Sequence, residues 1–408
     1  MAPPDTKDVM RHPRSIALAC ALSIAFGSAS RAEAAFPGKN GAIAYEHGRD
    51  IWTINPDGTG AVQLTATPGT FESDPAWSPD GKKIAFTSVL DAPGGNSQVW
   101  VMNADGSQAH PITTTGGGSP AWSPEGTRIA YVAGGSRFDV HMVDFDGTHD
   151  VNLTAHLDVT GVMQPSWSPD GTRLAVNATT PGYGMWGIAA FNLATRTLAP
   201  LAMTTTWNPG NPTWSPDGRT IALDAMNDGR GYLMNADGTN LHAAFGAAAS
   251  EALASPAFSP DGNRLAWNFQ GGEGAATWVV LSTPDGGNPA PLVRGLHPDW
   301  QPIPTGLKLF GTAAADTLHG AAGNDLLAGM GGNDVLLGRM GNDWLFGNAG
   351  NDVVLGGLGQ DALFGGPGTD VLAAQDGASD LVDCGPGNDT AWVDASDTVT
   401  GCETTHGP

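Results

Sequence analysis

The sequence predicts an all-β protein: a six-bladed β-propeller followed by a C-terminal parallel β-roll. Three observations carry that prediction. A pattern that begins Pro75-Ala-Trp-Ser-Pro-Asp-Gly81 and ends Ile84-Ala-Phe86 returns at Pro120, Pro165, Pro212 and Pro256. Each copy, with the stretch that follows it, holds four short strands, and a period of this length with that content marks a propeller blade. After Pro304 the period falls to nine residues, with aspartate in the sixth place of seven successive units.

In chain order, the N-terminus has the form of an export signal over residues 1–34. Arg11 and Arg14 precede an apolar run from Ser15 to Ala29, and Ala32-Glu33-Ala34 offers a small-x-small cleavage site. The run is too short to anchor the chain across a bilayer, so an integral membrane protein is not expected. Cys20 lies inside that leader, which leaves Cys384 and Cys402 as an even pair in an exported chain, most simply one disulfide. The 18 Lys+Arg against 41 Asp+Glu give a net charge of −23, which argues against nucleic acid as a partner and fits cations or basic surfaces. Glycine, at 58 of 408 residues, is twice the usual ~7% share and here serves turns.

The propeller is expected over residues 37–302. Its repeated aromatic falls at Trp77, Trp122, Trp167, Trp214, Phe258 and Trp300, at intervals of 45, 45, 47, 44 and 42 residues. In one copy a strand ends at the tryptophan, and Ser-Pro-Asp-Gly turns the chain. Pro79 fixes φ, Asp80 bonds the local backbone, and Gly81 is free to adopt φ > 0. A second strand returns through Ile84-Ala85-Phe86, and a third, Gln98 to Asn103, leads into Ala104-Asp-Gly106. Blade four alone departs at that second turn, with Phe191-Asn-Leu-Ala-Thr195. The sixth copy is split: NGAIAY (Asn40–Tyr45) opens the region and PDWQP (Pro298–Pro302) closes it. Pairing the two would complete one blade from both ends of the domain and hide both edges of the ring.

These repeats resemble the TolB-type propeller family (PD-repeat, WD-like), whose repeat reads P-x-W-S-P-D-G-x-x-I-A-F. The resemblance implies the fold. It does not extend to a role in the Tol–Pal envelope system, because TolB proper has an α/β domain before its propeller, whereas here the first blade follows the leader.

Both sets of Asp-Gly turns fall at one end of every blade, and the variable connections fall at the other. Binding residues concentrate on variable loops over a rigid scaffold, so that face is the expected recognition surface. Its candidates are Phe71, Glu72, Asp74, Arg137, His156, Asp158, Tyr183, Trp207, Asn208, Asp228, Arg230, Glu251, Glu273, Arg294 and His297. The strand tryptophans are expected in the core and the turn aspartates as turn formers. No His-x-x-x-His pair, Gly-x-Ser-x-Gly elbow or phosphate loop is present, and no catalytic residue is assigned.

A linker, 303–310, leads into the roll, 311–373. Its seven units place Asp316, Asp325, Asp334, Asp343, Asp352, Asp361 and Asp370 in the sixth position, and Leu318, Leu327, Leu336, Leu345, Val354, Leu363 and Leu372 in the eighth. If two units make one turn, alternate aspartates stack about 4.8 Å apart and repel. From Gly311 to Glu403 there are 13 Asp and one Glu against Arg339, a local charge of −13. A hard divalent cation held by carboxylates and glycine-loop carbonyls removes that repulsion. The pattern resembles the RTX, or haemolysin-type, calcium-binding repeat G-G-x-G-x-D-x-U-x. The resemblance implies calcium at the seven aspartates and at Gly323, Gly332, Gly341, Gly350, Gly359 and Gly368. Ala314 replaces that glycine in the first unit, which weakens Asp316. Residues 374–408 are expected to form a cap stapled by Cys384 and Cys402. Asp389 keeps the Gly-Asn-Asp context and is a candidate for a further ion.

The expected function is that of an exported calcium-binding protein, secreted, at the cell-envelope surface or in the periplasm. Its propeller would recognise a protein or a glycan. The alternative is a secreted polysaccharide lyase or hydrolase with a site on the variable face. Convergence there of two or more histidines with acids would separate the two.

Overall fold

The computed structural model describes residues 38–92, 96–114, 116–134, 137–179, 186–203, 208–225, 228–245, 252–270 and 276–407. The leader and its Cys20 lie outside the described residues. Six four-stranded antiparallel sheets form the blades of a propeller, and two six-stranded parallel sheets form a solenoid behind it. Among the described residues no helix is long and apolar enough to cross a membrane.

Blade one closes the ring as the split repeat requires. Strand Leu296–Pro304 pairs antiparallel with strand Gly38–His47, from Gly38↔Pro304 to Glu46↔Leu296. Side chains lock the seam. Gln301 Oε1 accepts the Ala42 N–H at 3.0 Å, and Gln301 Nε2 donates to Gly81 O at 2.9 Å. Asp299 Oδ2 accepts the Trp77 N–H at 2.6 Å. The other blades run in order from the axis outward, as in blade two: Thr70–Trp77, Lys83–Leu90, Ser97–Asn103 and His110–Pro111.

The Ser-Pro-Asp-Gly turn works as its residues dictate. Ser78 Oγ donates to Asp80 Oδ1 at 2.6 Å and accepts the Lys83 N–H at 2.9 Å. Gly81 takes φ 67°, and a Cβ there would overlap the Pro302 carbonyl oxygen. The same Ser–Asp bond, 2.6 Å, recurs at Ser168–Asp170, Ser215–Asp217 and Ser259–Asp261.

The propeller core lies between blades. Trp77 packs with Ile51, Ile84 and Met102 across blades one and two, and Trp300 packs with Tyr45, Ala257 and Val279 across blades six and one. Three indoles also clamp a neighbour. Trp122, Trp167 and Trp300 donate to the carbonyls of Ala76, Ala121 and Ala257 in the preceding blade, at 3.1, 3.1 and 3.2 Å. Removing one such ring would cost about 3–5 kcal/mol.

In the solenoid, strand Trp344–Phe346 pairs in parallel with Leu326–Ala328 and Ala362–Phe364 on one side. Strand Val353–Leu358 pairs with Val335–Met340 and Val371–Ala373 on the other. The eighth-place residues Leu327, Leu336, Leu345, Val354, Leu363 and Leu372 form a single buried file between the sheets. The parallel sheets take in Lys308–Phe310 at their start and run on to Thr404–His406.

Candidate functional site

Two places gather polar groups that the fold alone does not need: the aspartate columns of the roll and a ring of side chains inside the propeller.

From Asp325 onward, each column aspartate uses one oxygen to accept a backbone N–H from the preceding turn. Asp343 Oδ1 accepts the Asp325 N–H at 2.7 Å, Asp361 Oδ1 that of Asp343 at 2.8 Å, and Asp380 Oδ1 that of Asp361 at 2.8 Å. On the opposite side Asp334, Asp352, Asp370 and Asp389 bond in the same way to Asp316, Asp334, Asp352 and Asp370, at 2.7–2.8 Å. The second oxygen, Oδ2, of Asp334, Asp343, Asp352, Asp361, Asp370, Asp380 and Asp389 is buried without a hydrogen-bond partner. Burial of an unpaired carboxylate favours its protonated form. Asp343 is pushed up to about 8 by burial, against the lowering effect of the Asp325 N–H; the charges of Asp361 and Asp325 raise it further. Burial likewise lifts Asp380 to about 7 and Asp334, Asp361 and Asp370 to about 6.

The first two aspartates differ. Asp316 Oδ2 accepts the Thr312 N–H and Asp325 Oδ2 that of Ala321, each at 2.6 Å. Met330, Arg339 and Asn348 occupy the same second place of later units with φ of 78°, 81° and 69°. In those units the Oδ2 atoms of Asp334, Asp343 and Asp352 have no such bond. The fourth-place glycines let the loops stack: a Cβ on Gly350, Gly359 or Gly368 would overlap the carbonyl oxygen of Gly332, Gly341 or Gly350. Gly323, Gly332 and Gly341 line the same track of loops, where a Cβ would likewise meet the backbone of the preceding turn. Among the described residues no three His, Cys, Asp or Glu side chains gather as a metal group. Loop carbonyls would therefore have to complete any cation shell. Cys384 and Cys402 form a disulfide, Cα–Cα 5.1 Å, at the far end.

The second place is a cavity of about 240 Å³ on the propeller axis, lined by the innermost strand of all six blades. Each of those strands carries a bulge just before its Pro-x-aromatic step. There Asp74, Ser119, Gln164, Asn211, Ser255 and His297 all adopt φ of 45–53°. The left-handed turn of the backbone brings these six side chains to the cavity lining. His297 Nδ1 lies 3.0 Å from Glu46 Oε2 and 3.4 Å from Asp74 Oδ1. Burial pushes His297 down, yet the Glu46 hydrogen bond and the charges of Asp74, Glu46 and Asp224 outweigh it and hold the imidazole above its ordinary value. Asp224 Oδ2 accepts from Asn211 Nδ2 at 2.7 Å and Ser255 N at 2.9 Å, and its buried Oδ1 has no partner. Burial raises its pKa. One step deeper, where other blades have Ala76, Ala121, Ser166, Thr213 and Ala257, blade one has Asp299, pushed up to about 7 by burial.

Of the variable-face candidates, the structure brings Asp74 and His297 together. Arg137 instead staples the connection from blade three to blade four, donating to the carbonyls of Thr154, Leu157 and Val159 at 2.9 Å. Glu72 is buried against Thr70 and Thr65, with Phe71 beside it in the same strand. His156 Nε2 bonds Arg196 O at 2.7 Å, and Asp158 is exposed. Asp228 caps Arg230 N and accepts from Tyr232, while Arg294 stacks over Trp278 at 5.4 Å. Asn208 begins the described part of blade five. Tyr183, Trp207, Glu251 and Glu273 lie outside the described residues. The sequence reading missed Glu46 and Asp224. Both follow an Ile-Ala-apolar triad, a place that holds Thr87, Asn177 and Asn268 in other blades, and a polar residue recurring there was the available signal.

A closed propeller joined to an aspartate-columned solenoid defines a two-part β protein of propeller and calcium-repeat class. The sequence pattern of the TolB β-propeller domain matches residues 38–137 and 126–276, so the chain belongs to that family. The RTX calcium-binding nonapeptide repeat matches residues 310–345 and 337–372. A TolB homolog from Chlorobium luteolum is 36% identical over 61 residues, and the chain spans only 13% of that relative's length. The crystal structure of TolB from Acinetobacter baumannii superposes with TM-score 0.54 at 20% identity, over 64% of this chain and 67% of that one. The putative TolB from Agrobacterium tumefaciens gives 0.52 at 18% identity, over 63% and 91%. At such identities the likeness concerns the fold.

Proposed function

We propose that this is an exported calcium-binding protein whose propeller recognises a protein or glycan partner at the cell surface or outside the cell. The single observation that carries the calcium reading is the set of buried, partnerless Oδ2 atoms along both columns. An unpaired buried carboxylate is among the costliest groups a fold can hold. A hard cation is the partner that satisfies a row of them, because calcium takes several oxygen ligands in flexible geometry. Asp334, Asp343, Asp352, Asp361 and Asp370 would hold it, with Asp380 and Asp389 extending the columns and loop carbonyls near Gly332, Gly341, Gly350, Gly359 and Gly368 completing the shell. Asp316, Asp325 and the loop at Gly323 would contribute least, since backbone donors already serve those two carboxylates.

The propeller reading rests on the channel ring. One histidine converges there with Glu46 and Asp74. Among the described residues no second histidine joins it; the lyase or hydrolase alternative calls for two or more converging with acids. The test is a calcium titration of the full chain, followed by calorimetry and circular dichroism. Cooperative uptake with a gain of β signal is expected, and magnesium should do far less because it demands a tighter octahedral shell. An identical signal in chelator and in excess calcium would overturn the calcium reading.

A further inference from the structure

The roll does not merely follow the propeller; one edge of it rests on the propeller's turn face. Arg339 Nη2 donates to the Pro169 carbonyl at 3.0 Å, inside the Ser-Pro-Asp-Gly turn of blade four. The same nitrogen lies 3.1 Å from His319 Nδ1, so the guanidinium ties two turns of the roll to one turn of the propeller. Next to it, the Met340 thioether lies over Gly126 in the matching turn of blade three, where a Cβ would meet Met340 Sδ at 2.6 Å.

Local chemistry argues that this contact is built rather than incidental. Arg339 is the sole Lys or Arg between Gly311 and Glu403. It sits at φ 81°, where the later units have Gly357 and Gly366. A long cation in a left-handed position costs backbone free energy, and its bonds to Pro169 and His319 offset that cost. The loop that presents it is also the loop of Asp343. Gly338 lies directly against the unpartnered Asp343 Oδ2, and Arg339 and Met340 continue the strand from Val335, in register with Gly357 and Leu358. Without a cation, Asp343 Oδ2 is a buried polar atom with no partner, packed against Gly338, and that unmet cost loosens the segment that holds both docking residues.

We propose that the roll is a calcium-governed latch on the propeller. Its Arg339–Met340 edge covers the turns of blades three and four when a cation partners Asp343 Oδ2 in that loop, and uncovers them when the cation is lost. The inference rests on the calcium reading above, and coupling of this kind must run both ways, so docking also tightens cation binding at that loop.

Hydrogen–deuterium exchange on the full chain tests it, read at propeller residues 123–128 and 168–173. In calcium those amides should exchange more slowly than in chelator, by about tenfold, the scale of one hydrogen bond from a charged donor. The variant Arg339→Gly restores the residue of the later repeats and relieves the left-handed strain, so the roll should still order with calcium while the protection at 168–173 is lost. Calcium-dependent ordering of residues 326–373 with no change at either propeller turn, or protection that survives in Arg339→Gly, would overturn the latch and leave calcium binding standing. No calcium response in residues 326–373 would overturn the calcium reading itself, and the latch with it.

Discussion

Ending the chain after Leu296 should unfold the propeller, whereas ending it after Thr305 should not. The first cut removes nearly all of the closing strand, with Trp300, which is 2% exposed between blades six and one. Losing that ring alone costs about 3–5 kcal/mol. The Trp77 and Ala42 N–H groups lose their acceptors Asp299 and Gln301, at about 1–3 kcal/mol each where water cannot replace them. With the ladder to Gly38–His47 gone as well, the total approaches ~10 kcal/mol, comparable to the whole stability of an ordinary domain. The second cut removes the roll and leaves every one of these contacts. Thermal melts of the two fragments, followed by near-ultraviolet dichroism of the buried tryptophans, separate the cases. A cooperative, soluble melt of the shorter fragment at the temperature of the longer one would refute the closure argument.

Further outcomes follow from the roll. In chelator its stability should fall as pH rises. The raised carboxyls, from about 6 at Asp334, Asp361 and Asp370 to about 8 at Asp343, bind protons in the folded state that the unfolded chain has released above pH ~4. The metal-free fold therefore has that advantage in full only below pH ~4 and loses it progressively as pH rises through the folded values, about 6 to about 8. With calcium the slope should reverse, and a metal-free melt that is higher at pH 8 than at pH 5 contradicts the assignment. Replacing Asp343 and Asp352 together by Asn should weaken calcium-induced folding far more than Asp316→Asn, whose Oδ2 already has the Thr312 N–H; equal calcium midpoints would count against the columns. Reducing Cys384–Cys402, a closure of 18 residues, should cost the roll about 3 kcal/mol in the chain-entropy view and leave the propeller melt unmoved. An unchanged roll midpoint after confirmed reduction contradicts it.

The elements that repeat were legible from residue types alone, because each copy restates one local solution. Trp77 to Trp300 announced the blades, and the split between Asn40–Tyr45 and Pro298–Pro302 announced the seam. The columns were legible for the same reason, down to the stacking of Asp325 on Asp343. What escaped was what the repeat does not specify. The bulge that turns Asp74, Ser119, Gln164, Asn211, Ser255 and His297 toward the axis is a backbone event with six different side chains, so no motif marks it. Glu46 and Asp224 each follow an apolar triad in the second strand of a blade; Glu46 meets His297 only through closure of the circle, and Asp224 meets Ser255 only through packing of the next blade. Docking of Arg339 on Pro169 joins residues 170 apart in sequence, and within the repeat it appears only as one substituted glycine.

The seam has a mechanical consequence. Gly38 pairs with Pro304, so the chain enters and leaves the propeller at adjacent points on neighbouring antiparallel strands. A load between the N-terminal segment and the roll would pull those strands apart from their shared end, breaking the ladder one rung at a time, as a zipper opens. In that geometry the ring yields at low force, whatever its resistance to heat. The contact of Arg339 and Met340 with blades three and four gives the load a second path, around the seam and into the body of the ring. Tension would reach the zipper only after that contact had slipped.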